Sequence, residues 1–242
     1  MEITRDHFKT TRAVAVAYPP GAGGKILMNC LALSDEAVLQ DQNLFDLSTV
    51  DIKNLLVERY SSINVQDQWN DANLCDDNLF GFDVLFHYDA TRRNSGFSER
   101  EIQPLAAKHS YTWPYGKKFI EFIVNDHRIF FMVAHTAIDL HKHLEIWPKA
   151  RVIILDNATE FIAQQRPNRL IVDNADYENH VEKCTQLCID TSPMILDNLD
   201  WLEADLFVNT VEKCYNMLNL SGFNQNYIKE VFYAWDKVYR NK

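Results

Sequence analysis

Long apolar runs are missing from this sequence. No stretch approaches the ~20 residues that a bilayer-spanning helix needs. The first residues, MEITRDHFKTTR, are charged and lack an apolar signal core. Positive charge is scarce: 24 lysines and arginines stand against 34 aspartates and glutamates, for a formal net charge of −10. So acidic a chain lacks the basic face that general nucleic-acid binding requires, although a local cluster is enough to hold a phosphate. The cysteines (Cys30, Cys75, Cys184, Cys188, Cys214) are odd in number and scattered. They read as reduced thiols in a cytoplasmic protein rather than as a disulfide framework. Cys184 and Cys188 stand one helical turn apart with only His180 nearby. Two thiols packed on a helix explain that spacing better than a zinc site, which needs more ligands. A Gly-x-Ser-x-Gly elbow is also missing, and with it support for a hydrolase of that type.

What is present is enough to build a core. Of the 242 residues, 47% are hydrophobic and 12% aromatic, which suits one large domain over residues 1–242. Short runs of β-branched or aromatic residues with little alternation predict strands buried on both faces. They fall at Ala13 to Ala17, Val84 to His87, Ile129 to Ala134, Arg151 to Leu155 and Leu170 to Asp173. Helical patterns lie between them, at Lys25 to Leu33, Asp51 to Tyr60, Asp139 to Ile146 and Thr159 to Gln165. This alternation predicts a three-layer α/β fold around a mostly parallel sheet. Residues from about 177 to 242 change character. Tyr177 to Leu187, Asp200 to Leu218 and Asn226 to Tyr239 read as helices, which predicts a helical C-terminal part. The polar stretches Ser61 to Leu79 and Asp89 to Trp113 are long for loops, a length often associated with function.

Glycine is rare, with seven in the chain, yet three of them fall between Gly21 and Gly24, followed by Lys25. The surrounding segment reads AVAVAYPPGAGGKILMNCLALS, so the cluster sits between a predicted strand and a predicted helix. Glycines there allow positive φ and let successive N–H groups converge. The helix start adds partial positive charge, and Lys25 adds a full one. Three glycines and a lysine exceed what a tight turn requires, which points to a phosphate or sulfate group; a tight turn with no ligand is the plainer alternative. A full Walker A motif, Gly-x-x-x-x-Gly-Lys-[Ser/Thr], is not present. Pro19 stands where its first glycine belongs, and Ile26 where its magnesium-binding hydroxyl belongs. That disfavours an ordinary magnesium-dependent ATPase or GTPase.

The segment Tyr18-Pro19-Pro20-Gly21-Ala22-Gly23-Gly24-Lys25 resembles the phosphosulfate-binding loop of the sulfotransferase family, usually Tyr-Pro-Lys-Ser-Gly-Thr-Thr-Trp. Phe130 to His135 resembles the family's strand ending in Lys-Thr-His. Lys149 to Glu160 resembles its strand leading into Arg-Asn-Pro-x-Asp. The final helices, through Phe232-Tyr233-Ala234-Trp235, resemble the family's C-terminal tail more loosely. The resemblance implies a P-loop-type α/β fold. It also implies metal-independent transfer of a sulfuryl group from 3′-phosphoadenosine 5′-phosphosulfate to a hydroxyl or amine of a small-molecule or carbohydrate acceptor. By the same match, the loop Pro20, Gly21, Ala22, Gly23, Gly24, Lys25 and Ile26 would hold the donor and His135 would be the general base; the charge of Lys25 would suit neutralising the leaving phosphate. The chain departs from the family at the 3′-phosphate site. Asp156 stands at the arginine position and Gln164 at the serine position, and a carboxylate there would repel a phosphate dianion. Pro20 replaces the loop lysine, and Lys25 an aromatic residue.

Outside these motifs, Thr91 to Gly96 is a compact basic loop whose Arg92 and Arg93 could fork onto a bound anion. A solvated surface loop is the plainer alternative. Lys117-Lys118 fits a solvated strand entry better than a site. A helix beginning near Asp139 would place His143 one turn on and point His141 elsewhere, a spacing that matches no closed zinc pattern. His135, at the end of a predicted parallel strand, would face the ligand crevice, or else be a hydrogen-bonded core histidine. His87 ends another apolar run. Trp69, Trp113 and Trp147 lie near proposed loops, where packing is the default role. Two other function classes stay open: a nucleotide- or anion-binding interaction protein without catalysis, favoured by Asp156 and Gln164, and a small-molecule phosphotransferase with a degenerate loop, disfavoured by Ile26.

Overall fold

A computed structural model describes residues 12–38, 48–62, 128–165, 179–188 and 191–240. The elements run β1 (Ala13–Ala17), α1 (Gly24–Leu31), β2 (Ala37–Val38), α2 (Thr49–Ser62), β3 (Ile129–Ala134), α3 (Ala137–Ile146), β4 (Arg151–Asp156), α4 (Ala158–Gln165), α5 (His180–Leu187), β5 (Met194–Asp197), a 3-10 turn (Asn198–Leu202), α6 (Ala204–Leu218) and α7 (Gln225–Arg240). The strands form one sheet in the order β2-β3-β1-β4-β5, and each described pairing is parallel. Central β1 lies between β3, with Ala17 opposite Ala134, and β4, with Ala17 opposite Ile154.

Alternation along the strands separates two cores. Val14, Val16, Phe131, Val133, Ile153 and Leu155 face the side covered by α1, α2, α6 and α7. Ala13, Ala15, Ala17, Phe130, Met132 and Ile154 face the side covered by α3 and α5. Sheet and two helical layers make the expected three-layer α/β architecture. The alanine face of β1 adds little bulk, so α3 brings Leu140 and α5 brings Cys184 close against the strand. The other face needs more filling. Trp201, Phe207 and Phe232 supply it, with the Phe207 and Phe232 rings stacked 4.8 Å apart.

Three of the predicted strands and the first four predicted helices stand within a residue or two of their expected limits. The predicted strands Val84 to His87 and Leu170 to Asp173 lie outside the described residues. Two strands were not expected. β2 is only two residues long, and β5 lies inside the stretch read as helical. The C-terminal part is therefore helical but also supplies the sheet with β5, on the far side of β4. β5 reads Met-Ile-Leu-Asp, with Leu196 buried and Ile195 half exposed, too short a run for its period to register. The expected helix from Asp200 begins as a 3-10 turn capped by Asp197, whose carboxylate accepts from the Leu199 amide at 2.9 Å. Among the described residues no helix is long and apolar enough to cross a membrane. Four cysteines, Cys30, Cys184, Cys188 and Cys214, are unbridged and buried; Cys75 lies outside the described residues. Burial pushes the Cys184 and Cys214 thiols up to about 12, so both are protonated at neutral pH.

Candidate functional site

Loops leaving adjacent strands toward opposite faces open a crevice at their carboxyl ends. Here those strands are β1 and β3. The chain leaves β1 for α1 on one face and leaves β3 for α3 on the other. Residues 18–25 and His135 meet at that divide.

The loop after β1 is built from a turn. The Ala22 amide donates to the Pro19 carbonyl at 3.1 Å, and Gly21 has φ +95°. Proline at the second position and a positive-φ glycine at the third are the marks of a type II turn. Gly23, at φ +77°, is the N-cap of α1. Gly24 is needed for a different reason. A β-carbon there would lie 2.1 Å from Cε1 of Tyr18, whose ring lies against this backbone. Beside Gly23 sit the rings of Trp201 and Trp235, 3.3 and 3.1 Å from where a β-carbon would be. Each glycine thus has a conformational or packing reason of its own. The turn itself needs only Gly21; Gly23 and Gly24 serve the helix cap and the ring contact, so the glycine count alone does not argue for a ligand.

The start of α1 does argue for one. Ile26 donates its amide to the Gly23 carbonyl at 3.0 Å, whereas no carbonyl among the described residues accepts from the amides of Gly23 or Gly24. Open amides in a first turn are normal, and chains meet them with a capping side chain or a carboxylate. At α2, the Asp51 amide donates to Ser48 Oγ at 3.3 Å; at α3, Thr136 and Asp139 form a reciprocal capping box. α4, α5 and α6 have Glu160, Glu182 and Asp205 in their first turns. At α7, Asn224 Oδ1 accepts from the amides of Asn226 and Tyr227. Among the described helices, α1 alone starts with neither a side-chain cap nor an acidic residue, and it carries Lys25 instead. A cation in the first turn opposes the helix dipole, and an anion seated there would reverse the sign of that interaction.

His135 follows β3. Its Nδ1 lies 3.1 Å from the Tyr18 carbonyl oxygen, and its ring meets the Tyr18 ring edge-to-face at 5.1 Å. A carbonyl only accepts, so in the neutral ring Nδ1 carries the proton and Nε2 the lone pair. The Tyr18 amide donates to the Ala134 carbonyl at 2.9 Å, closing the junction between the two strands. Asp139 lies nearby in the capping box. Burial is the largest influence on its carboxyl and raises its pKa, while bonds to Thr136 and the charge of His135 pull it down. His180, at the start of α5, is buried, and its pKa is lowered, first by burial and further by the charge of His135; a bond to the Ala17 backbone opposes this.

The remaining candidates separate clearly. His143 is a core residue. Its Nε2 donates to the Val133 carbonyl at 2.7 Å, and burial pushes its pKa down to about 4. His141 points outward and pairs with Glu145. Trp147 is buried against Phe130. At the end of β4, Asp156 Oδ1 accepts from the Asn157 amide at 2.8 Å, and Gln164 donates to Glu160 on the surface of α4. The structure therefore places Pro20, Gly21, Ala22, Gly23, Gly24, Lys25 and Ile26 in the turn and first helical turn that follow Tyr18, and it is Tyr18 that contacts His135. Arg92, Arg93, His87, Lys117, Lys118, Trp69 and Trp113 lie outside the described residues. Sequence reasoning passed over Tyr18 and His180. Tyr18 was visible as the aromatic residue before the paired prolines, but nothing local showed its ring turning back onto Gly24.

No protein-family model and no curated protein matches the chain.

Proposed function

We propose that the chain is a sulfotransferase-like transferase whose α1 start holds the phosphosulfate of 3′-phosphoadenosine 5′-phosphosulfate. One observation carries this reading: among the described helices, α1 alone begins with a lysine and without a cap or carboxylate. In the proposed reaction an acceptor hydroxyl or amine attacks the sulfur and the sulfur–oxygen bond to the phosphate breaks. The acceptor's proton passes to His135 Nε2, and 3′-phosphoadenosine 5′-phosphate leaves. Lys25 and the amides of Gly23 and Gly24 would meet the charge that grows on the departing phosphate. The tautomer of His135 supports the role of base, because Nε2 is its unprotonated nitrogen. Ile26 at the position of a magnesium-binding hydroxyl suits a donor that needs no metal.

A second reading has its own observation. Asp156, at the carboxyl end of β4, is held by the Asn157 amide and brings negative charge where the resemblance calls for an arginine. That favours an anion-binding module without catalysis. Thermal shifts separate the two, since a ligand that binds only the folded chain raises its melting temperature. Stabilisation by 3′-phosphoadenosine 5′-phosphate, with none from ATP plus magnesium, is the result expected of the transferase. A shift with inorganic sulfate alone favours the simple anion module. A shift with ATP and magnesium would move the assignment to a phosphotransferase, and no shift with any of them sinks the donor site. His135→Ala should leave bisphosphate affinity unchanged and abolish transfer.

A further inference from the structure

We infer that Tyr18 is a positioning residue: it fixes the tautomer and orientation of His135, and it ties that imidazole to the turn that opens α1. The inference rests on the proposed role of His135 as base. Tyr18 reaches the imidazole in two independent ways. Its carbonyl oxygen lies 3.1 Å from Nδ1, and its ring stands edge-to-face to the imidazole at 5.1 Å and 87° between planes. The same residue is anchored at three further points. Its amide donates to Ala134 on β3, its ring lies over Gly24, and its carboxyl side runs directly into Pro19. The residue is only 2% exposed, so the ring has little room to turn.

The consequence is chemical. The Tyr18 carbonyl selects Nδ1–H, which puts the lone pair on Nε2, and the ring stops the imidazole from rotating away from that carbonyl. A backbone carbonyl survives any substitution at this position, so the ring is what mutation can remove. Gly24 belongs to the same device. An added methyl there would occupy the space of the tyrosine ring and must displace it. Tyr18 therefore makes the geometry of the imidazole depend on the geometry of the anion loop.

The test uses nitrogen-15 NMR of the imidazole in the whole, ligand-free chain, with His135→Gln to assign the signals. Wild type should show Nδ1–H over Nε2–H by about 5:1, the bias that one neutral hydrogen bond supplies. Tyr18→Phe keeps ring and carbonyl and should keep that ratio. Tyr18→Leu, and separately Gly24→Ala, should bring it toward 1:1. The inference is overturned if wild type carries the proton on Nε2, or if folded Tyr18→Leu and Gly24→Ala both retain the wild-type ratio. Should those two variants not fold, the wild-type spectrum still overturns the inference if the proton lies on Nε2. The readout uses neither donor nor acceptor. Failure of bisphosphate binding with the expected tautomer would sink the transferase and leave the role of Tyr18 standing; the reverse pattern would sink the role of Tyr18 alone.

Discussion

The two ends of the sheet treat charge in opposite ways. At the amino end the chain completes its own pairs. Arg12 Nη2 donates to the Leu218 carbonyl at 3.3 Å, and the Arg151 guanidinium reaches the Met217 carbonyl, so two cations sit on the negative end of α6. Glu36, just before β2, accepts from the Ser221 amide at 2.6 Å, from Ser221 Oγ at 2.7 Å and from Ser34 Oγ at 2.6 Å. At the carboxyl end Asp139 and Asp197 cap their own turns, but on the positive end of α1 sits a cation, and among the described residues no side-chain cap closes it. On that side, too, the amide of fully buried Asn198 and Nε1 of Trp201 have no hydrogen-bond partner among the described residues. Unmet buried polar groups cost a fold stability, and they gather where binding or catalysis is worth that cost. The amino end is scaffold; the start of α1, at the carboxyl end, is where the proposed anion would be met.

The largest way to break this contrast is to remove the packing beneath the loop. Trp201 is fully buried and touches Phe161, Phe207 and the edge of Gly23. Trp201→Ala should cost about 3–5 kcal/mol in urea unfolding, the usual range for a buried tryptophan. Lys25→Glu should divide binding from stability. It should weaken bisphosphate binding by roughly 10- to 100-fold, as loss of a charge-assisted bond does. The ligand-free chain should gain about 0.3–1 kcal/mol as the helix dipole is met. Unchanged bisphosphate binding by folded Lys25→Glu would mean that the lysine does not serve a ligand.

At the amino end the effects are smaller. Arg151→Ala should cost about 0.3–1 kcal/mol and leave anion binding untouched. Glu36 gives a pH signature. The Ser221 amide first, then the serine hydroxyls, hold its carboxyl at about 2, against 4.5 for an unperturbed carboxyl. Its stabilising contribution is therefore complete above the unfolded value and fades as pH falls from about 4.5 toward 2. The gap in melting temperature between wild type and Glu36→Gln should be widest near neutral pH and close across that interval.

Much of the scaffold could be read in the sequence because fully buried parallel strands leave continuous apolar runs. Ala13–Ala17, Ile129–Ala134 and Arg151–Asp156 are such runs. β5 was missed because four residues do not establish a period, and the helices around it set the local pattern. The candidate site was legible as composition but misread in part. Glycine clustering suggested a cradle, yet Gly21, Gly23 and Gly24 answer to turn angle, cap and ring contact. The signal that does discriminate, a first turn with neither acid nor cap, needed the exact helix boundary. Helix starts shift by a residue or two when read from pattern alone. The pairing of Tyr18 with His135 joins residues 117 apart in sequence, and no local rule reaches that far.

Seven of the eight residues of α1 are buried, from Gly24 through Leu31 with Lys25 the exception. A segment so enclosed has no small fluctuation that frees it from solvent exclusion, so its hydrogen-bonded amides, from Ile26 onward, should trade hydrogen for deuterium only when the whole domain opens. The slowest-exchanging protons would then lie directly behind Lys25, and the proposed oxyanion would dock on a rigid post rather than assemble its own seat.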